Sequence, residues 1–311
     1  MDPRPNLPTI VRLVEKGFEL SEASNTPVMM ELRIRACHVQ GSFVASDNIA
    51  PAISSRLLQQ EAASFSYDRL SHPPSTFRHE KHKYEVRMPA ARKFIEDAGL
   101  NEHFDGRHGE VGLIVQGGLY NTTMRALQQA GLANGTGESD IPMLVLNVVY
   151  PLVPEQIAAF CAGKRAVLVI EEGQPEFIEQ DIATQLRRAD LQTRLHGKDL
   201  LPMGGEYTAE ILLKGLTAFV GEHLPTLDTT AATTFSTELA EVRERALAEL
   251  AAACPRAHPI SAPVARSARC SPRSSWSSAR WASCTSPPTS AAIPSPPSSR
   301  SRSATPSSAT A

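Results

Sequence analysis

Hydrophobic and polar positions alternate along this chain in blocks, and the clearest block runs from residue 110 to residue 202. There a short apolar run, a tight turn marked by Gly or Pro, and a helical stretch recur three times. The apolar runs, residues 111–115, 143–149 and 166–170, are almost free of polar interruption. Strands that read this way are covered on both faces, as in a parallel sheet. The pattern predicts an α/β fold, a parallel sheet flanked by helices.

Around that block the pattern is looser. Pro8 opens a helix whose positions Ile10, Leu13, Val14, Gly17, Phe18 and Ser21 share a face, and Asn25 and Pro27 stop it. Residues 28–34 read as a strand, so the chain opens partway through a helix–strand unit and looks cut at its front. Residues 53–65 have helical character, residues 71–83 form a polar, proline-marked connector, residues 89–100 a short amphipathic helix, and residues 101–109 a linker. Within the block, the helices are expected over 122–131, 154–161 and 175–188. A further helix near residues 208–220 buries Ile211, Leu212, Leu216, Phe219 and Val220, and a charged helix over 236–252 follows a Thr- and Ala-rich linker, with Ser236 as its N-cap.

Composition changes the picture at the carboxyl end. The 311 residues carry a net charge of −2, but residues 1–254 hold 24 basic against 33 acidic side chains. The compensating charge is in residues 255–311, which contain seven Arg and no Lys, Asp, Glu or Leu, amid Ser, Pro and Ala. Such a segment cannot build a core and is expected to be disordered. No run of about 18 apolar residues is present and the N-terminus lacks the layout of a signal peptide, so the chain reads as cytoplasmic, with no membrane partner. Five widely spaced cysteines, Cys37, Cys161, Cys254, Cys270 and Cys284, write no zinc or iron–sulfur motif.

Candidate chemistry is sparse. His72, His79 and His82 lack the carboxylate or Cys pattern that would complete a metal site, and loop histidines are commonly just solvated. The turn from Gln116 to Asn121 carries Gly117 and Gly118 ahead of a helix, a place where free N–H groups can cradle an anion, although the same glycines also serve close strand–helix packing. Cys161, between Phe160 and Ala162, reads as a small buried hydrophobe rather than a nucleophile. Glu171 and Glu172 end a parallel strand where ligands usually bind, so they are candidate acid, base or partner-contacting groups, or else solvated helix-entry acids. His196 and Lys198, in the polar stretch 193–207, are candidate substrate contacts or residues of an exposed turn.

The strings GLIVQGGLYNTTMRAL, VLNVVYPLVPEQI, AVLVIEEGQPEFIEQDI and LHGKDLLP, in this order and spacing, resemble the large subunit of indolepyruvate ferredoxin oxidoreductase in its long bacterial form. The resemblance covers about residues 5–250, and EEGQPEFIEQ and HGKDLLP are its most specific parts. It implies that residues 1–106 are the remnant of a pyrimidine-binding thiamine diphosphate module plus connector, and residues 107–222 a transketolase C-terminal-like domain. Residues 223–254 would be a linker and charged helix, and 255–311 the disordered tail. It further implies a thiamine diphosphate-dependent enzyme, with Mg and iron–sulfur clusters, that oxidatively decarboxylates indolepyruvate or other aryl pyruvates, reduces ferredoxin and transfers the acyl group to coenzyme A. The intact family would be a homodimer. The cofactor-activating glutamate and the Mg-diphosphate module fall outside the resemblance, so no catalytic or metal residue is carried over, cofactor-binding residues are unassigned, and the isolated chain is expected to be inactive and to bind none of these groups. The alternative is a non-catalytic α/β binding or assembly subunit that docks on separate catalytic chains.

The tail has its own explanation. Permitted codons for residues 258–276 can be chosen so that reading from the third base gives PDFCTGCPERPVFSAIKL, and CTGCPERP is the string that opens the diphosphate module in the family. The expectation is a frameshift near Cys254, which would make Cys270, Cys284 and the Arg-Ser runs accidents rather than a nucleic-acid-binding arm. Resequencing the gene across the codons for residues 250–258 decides it, and an intact frame in independent clones refutes the shift.

Overall fold

The computed structural model describes residues 1–48, 55–60 and 72–253. The chain divides into two units, residues 1–249 and 250–311, and only the first is described at length. The tail and most of the expected helix over 53–65 lie outside the described residues.

The first unit opens with α1 (Leu7–Ser24), α2 (Ile34–Cys37), α3 (Ser55–Gln60) and α4 (Thr76–His82). One π-helical turn, Lys83–Arg87, joins α4 to α5 (Met88–Asp97). The sheet block follows as β1 (Glu102–Phe104), β2 (Val111–Gln116), α6 (Tyr120–Gln129), β3 (Met143–Leu146), α7 (Pro154–Cys161), β4 (Ala166–Ile170), α8 (Phe177–Arg188), β5 (Arg194–His196), α9 (Ala209–His223) and α10 (Thr230–Ala253).

The five strands are ordered β1-β3-β2-β4-β5. All neighbours are parallel except β1, which runs antiparallel along the β3 edge with Phe104 opposite Met143. The expected parallel sheet is present, and its apolar strands are buried on both sides, as their composition requires. Val111, Leu113, Val115, Met143, Val145, Leu168 and Ile170 pack with α6 and α9. Ile114, Leu144, Leu146, Val167 and Val169 face α7 and α8. A third cluster holds Leu13 and Leu20 of α1 against Ala91 and Ile95 of α5, with Val148 and Val153.

The chain leaves β2 toward β3 by way of α6 on one face, and leaves β4 toward β5 by way of α8 on the other. Neighbouring strands whose connections diverge in this manner create a crevice at their carboxyl ends, where open α/β sheets usually take ligands. Here the crevice lies between the ends of β2 and β4.

Several local expectations are corrected. Residues 28–33 are extended but form no ladder: they touch the first residue through Met1 N–H to Met29 O at 2.7 Å and Glu31 N–H to Met1 O at 2.8 Å. Two bonds do not make a strand, and Met29 and Ile34 stay exposed. Residues 76–83, part of the stretch 71–83 expected as loop, are helical, and every side chain over 76–87 is at least partly exposed, which explains why no apolar stripe marks them. Residues 102–104, expected as linker, form the edge strand. The last helix begins at Thr230, after Asp228 accepts the Thr230 N–H at 2.9 Å, so Ser236 is interior rather than a cap. No helix among the described residues is long and apolar enough to cross a membrane.

Candidate functional site

Glu171 and Glu172 follow β4, and an extended backbone sends adjacent side chains to opposite sides. Their fates differ accordingly. The Glu171 carboxylate, almost fully buried, turns to the start of α8 and accepts the N–H groups of Ile178 and Glu179, each at 3.0 Å. It caps a helix whose first N–H groups have no partner within the helix, and it meets the positive end of the helix dipole.

Glu172 turns into the crevice. Its carboxylate accepts from Arg35 Nη2 at 2.7 Å and from the Tyr207 N–H at 2.6 Å, and it pairs with Arg33 Nη1. Its own N–H donates to Gln116 Oε1 at 2.9 Å, and the same oxygen accepts from Arg33 Nη2 at 3.1 Å. Arg33 also grips the Asp2 carboxylate, with Nη2 to Oδ2 at 2.9 Å. The Arg33 side chain is 12% exposed and that of Asp2 1%. Arg35 Nη1 reaches on to the Tyr207 carbonyl at 2.7 Å.

The first residues complete this plug. Asp2 N–H donates to the Asn147 carbonyl and Arg4 N–H to Asn147 Oδ1, both at 2.8 Å. Asn147, wholly buried at the end of β3, spends its own Nδ2 on the Leu100 carbonyl and Glu102. Arg4 makes a two-pronged pair with Glu102 at 2.8 Å and lies over the Tyr120 ring at 5.0 Å. Burial opposes the charge on Glu102, but the hydrogen bonds from Arg4 and Asn147 and the Arg4 charge outweigh it and hold the carboxyl below its ordinary range.

This explains the glycine turn. A Cβ on Gly117 would stand 2.0 Å from the Asp2 carbonyl oxygen, and one on Gly118 would stand 2.4 Å from Asp2 Oδ1 and 2.5 Å from Arg33. The glycines admit the chain's own first segment, and the anion at the turn is the Asp2 carboxylate.

A thiamine diphosphate therefore does not fit at this turn: the space over Gly117 and Gly118 is filled, and a diphosphate there would meet the Asp2 carboxylate. The described residues do not fit an iron–sulfur cluster either, since they hold two cysteines, exposed Cys37 and buried Cys161. Burial pushes the Cys161 thiol up to about 11, which suits the apolar role expected of it.

Lys198 is tied in structurally. Its Nζ donates to the Glu171 carbonyl at 2.5 Å and contacts Tyr207 Oη at 2.7 Å, and its N–H donates to Glu179. Burial lowers the Lys198 pKa against the pull of the surrounding acids. Tyr207 Oη donates to the Pro202 carbonyl, and burial, then the nearby acids, raise its pKa.

His196 does not sit in an exposed turn. It ends β5 with 1% exposure, because its ring packs edge-on to Phe219 and bonds to Asp199 and His223. His196, Glu222 and His223 form the one group among the described residues whose donor atoms could surround a metal, all within 4.8 Å of one another. His72, His79 and His82 are not brought together as one. Sequence reading missed Asp2, Arg4, Arg33, Arg35, Gln116 and Asn147. The pair Arg33 and Arg35, in a stretch over 28–37 whose remaining charged residue is Glu31, was the available signal.

Residues 101–209 match the family model described as the indolepyruvate ferredoxin oxidoreductase middle domain. The chain is 28% identical over 217 residues to the indolepyruvate oxidoreductase subunit IorA of Methanothermobacter thermautotrophicus, covering 68% of this chain and 32% of that protein. It is 25% identical over 217 residues to IorA of Pyrococcus abyssi, with the same coverage. IorA of Archaeoglobus fulgidus is 23% identical over 210 residues, 66% of this chain and 30% of the relative. The chain thus spans about a third of the length of the curated relatives it matches. Among solved structures, the 2-oxoglutarate:ferredoxin oxidoreductase from Magnetococcus marinus, with 2-oxoglutarate, coenzyme A and succinyl-CoA bound, is similar over 47% of this chain and 24% of that one, at 16% identity and a TM-score of 0.32.

Proposed function

We propose that this chain, whose residues 101–209 match the model of the indolepyruvate ferredoxin oxidoreductase middle domain, belongs to that enzyme family and that its described part is a scaffold within a 2-oxoacid oxidoreductase. The whole enzyme would oxidise indolepyruvate or another aryl pyruvate to the acyl-CoA and pass the electrons to ferredoxin. In that scheme residues 1–106 are the end of a pyrimidine-binding module with its connector, residues 107–222 the transketolase C-terminal-like domain, and residues 223–254 the helical link beyond it. The chemistry would take place on thiamine diphosphate held elsewhere, and this chain by itself would be inactive.

One observation carries the reading. At the carboxyl ends of β2, β3 and β4, the carboxylates of Glu171 and Glu172 and the amides of Gln116 and Asn147 are each committed to contacts within the chain. Glu172 and Gln116 bind Arg33, and Asn147 binds Arg4 and Glu102. Groups held in that way fix one segment against another, which is what a positioning domain requires and what a reacting site cannot spare.

Calorimetry of the purified chain with thiamine diphosphate and Mg tests the proposal. No saturable heat is expected. Stoichiometric binding would refute the scaffold reading, because a cofactor site would then have to exist in the chain.

A further inference from the structure

We propose that His196, Glu222 and His223 are a binding site for a borderline divalent transition-metal ion, with zinc the fitting biological candidate. The site lies away from the plugged crevice. His196 ends β5 opposite Leu168 of β4, and Arg194, at the start of β5, holds Glu222 Oε1 through Nη1 at 2.9 Å, so the cluster is on the sheet's outer edge.

The argument begins with His196. Its Nδ1 is 2.6 Å from Asp199 Oδ2, which fixes the Nδ1–H tautomer and leaves Nε2 as a lone pair. A carboxylate behind a histidine is the usual outer support of a metal-bound imidazole, since it orients the ring and strengthens it as a donor. That lone pair points at His223 Nε2, 2.8 Å away. Without an ion the two nitrogens must share one proton. With one, His223 moves its proton to Nδ1 and both Nε2 atoms become ligands.

The required adjustment is small. Zinc–nitrogen bonds of about 2.05 Å at a tetrahedral angle separate two donor nitrogens by roughly 3.3 Å, so the rings part by about half an ångström. Glu222 Oε1, 3.7 Å from His223 Nε2, supplies the third ligand; the same oxygen holds Arg194 Nη1, and the carboxylate has lone pairs enough to serve both. Phe219, with ring centroids 5.8 Å from His196 and 5.1 Å from His223, walls the inner side. Glu222, 41% exposed, marks the open side, where water would be the fourth ligand. The cations facing the site are Arg194 and Arg165, which donates to the His223 carbonyl, and the carboxylates of Asp199 and Glu222 match them in number. Two imidazoles and one carboxylate select zinc-like ions over magnesium or calcium, which take oxygen cages. An ion here would tie the edge strand to the last turn of α9.

Titration of the tag-free, chelator-stripped chain with Co(II), followed by visible absorption, tests the assignment. One Co(II) per chain with ligand-field bands of a low-coordinate site is expected, displaced by zinc. D199N should weaken binding about 10- to 100-fold, as loss of an outer partner does. E222Q should weaken it as well, and H223Q should abolish the bands, with circular dichroism reporting whether that variant stays folded. Should H223Q unfold, D199N and E222Q carry the test, because both positions are largely exposed. Absence of the bands in the parent chain, or equal affinity in the parent, D199N and E222Q, would overturn the proposal.

Discussion

Replacing Arg33 by Met puts the plug to a quantitative test. Arg33 holds three groups at once: the carboxylates of Asp2 and Glu172 and the Gln116 amide oxygen. Met preserves most of the stem volume and removes every donor. Glu172 would keep Arg35 and the Tyr207 N–H, so its charge stays compensated. Asp2 would not, since its carboxylate is 1% exposed and its side-chain hydrogen bonds come from Arg33. Orphaning one partner of a buried ion pair costs about 3–5 kcal/mol. For a folded unit of this size that corresponds to a fall in Tm of roughly 10 °C.

Thermal unfolding followed by circular dichroism, with urea titration as the equilibrium check, measures the loss. The decisive comparison is a double-mutant cycle with D2N. Most of the cost should come from the stranded charge, so R33M should be much less damaging on the D2N background than on the parent, with a coupling of 1 kcal/mol or more on the scale seen for residues in direct contact. R33K should fall between, because a point charge cannot span three acceptors as the planar fork does. A loss below about 1 kcal/mol for R33M, or strict additivity with D2N, would refute the claim that the pair is buried and committed.

Two further outcomes follow from the same geometry. G117A should cost at least about 1–3 kcal/mol, because its Cβ would collide with the Asp2 backbone, whereas G109A, with open space around it, should stay within about 0.5 kcal/mol, and urea titration of the pair distinguishes them. For pH, the depressed folded-state pKa of Glu102 means that its contribution is present above the ordinary carboxylate range and is lost as pH falls through the depressed value. E102Q should therefore flatten the acid limb of stability against pH, and an unchanged limb would contradict the pairing with Arg4.

How much of this was legible depends on whether the signal was local. The strands β2, β3 and β4 announce themselves because both faces are buried, leaving no room for polar residues in 111–115, 143–146 or 166–170. β1 and β5 are three-residue edge strands, Glu-His-Phe and Arg-Leu-His, with mixed exposure, so neither periodicity nor apolar content marks them. The helix from residue 76 onward follows two prolines and buries nothing in its first turns, so polarity concealed it. At the crevice, sequence placed Glu171 and Glu172 correctly but could not tell them apart. Their difference is set by their partners: the start of α8, seven and eight residues on, for Glu171, and Arg33, 139 residues away, for Glu172. His196 was misread for the same reason: Asp199 is three residues on and visible, but His223 is 27 residues on and meets it only through the packing of α9.

The two neutral amides explain how so many charges are accommodated at one end of a sheet. Gln116 Oε1 accepts from both Glu172 N–H and Arg33, so it joins β4 to the arginine without adding charge. Asn147 does the same on the other side, accepting from Arg4 N–H and donating to Glu102. A carboxylate at either position would add an anion beside Glu172 or Glu102, and an aliphatic residue would leave buried donors unmet, at about 1–3 kcal/mol each. An amide, which accepts and donates without charge, answers both constraints. The crevice over Gly117 and Gly118 is thereby bridged by a network in which charged groups meet across segments and uncharged groups bridge to the strands. Such an arrangement ties Asp2 and Arg4 to the ends of β1 and β3, and through Arg33 to that of β2, by both backbone and side-chain hydrogen bonds.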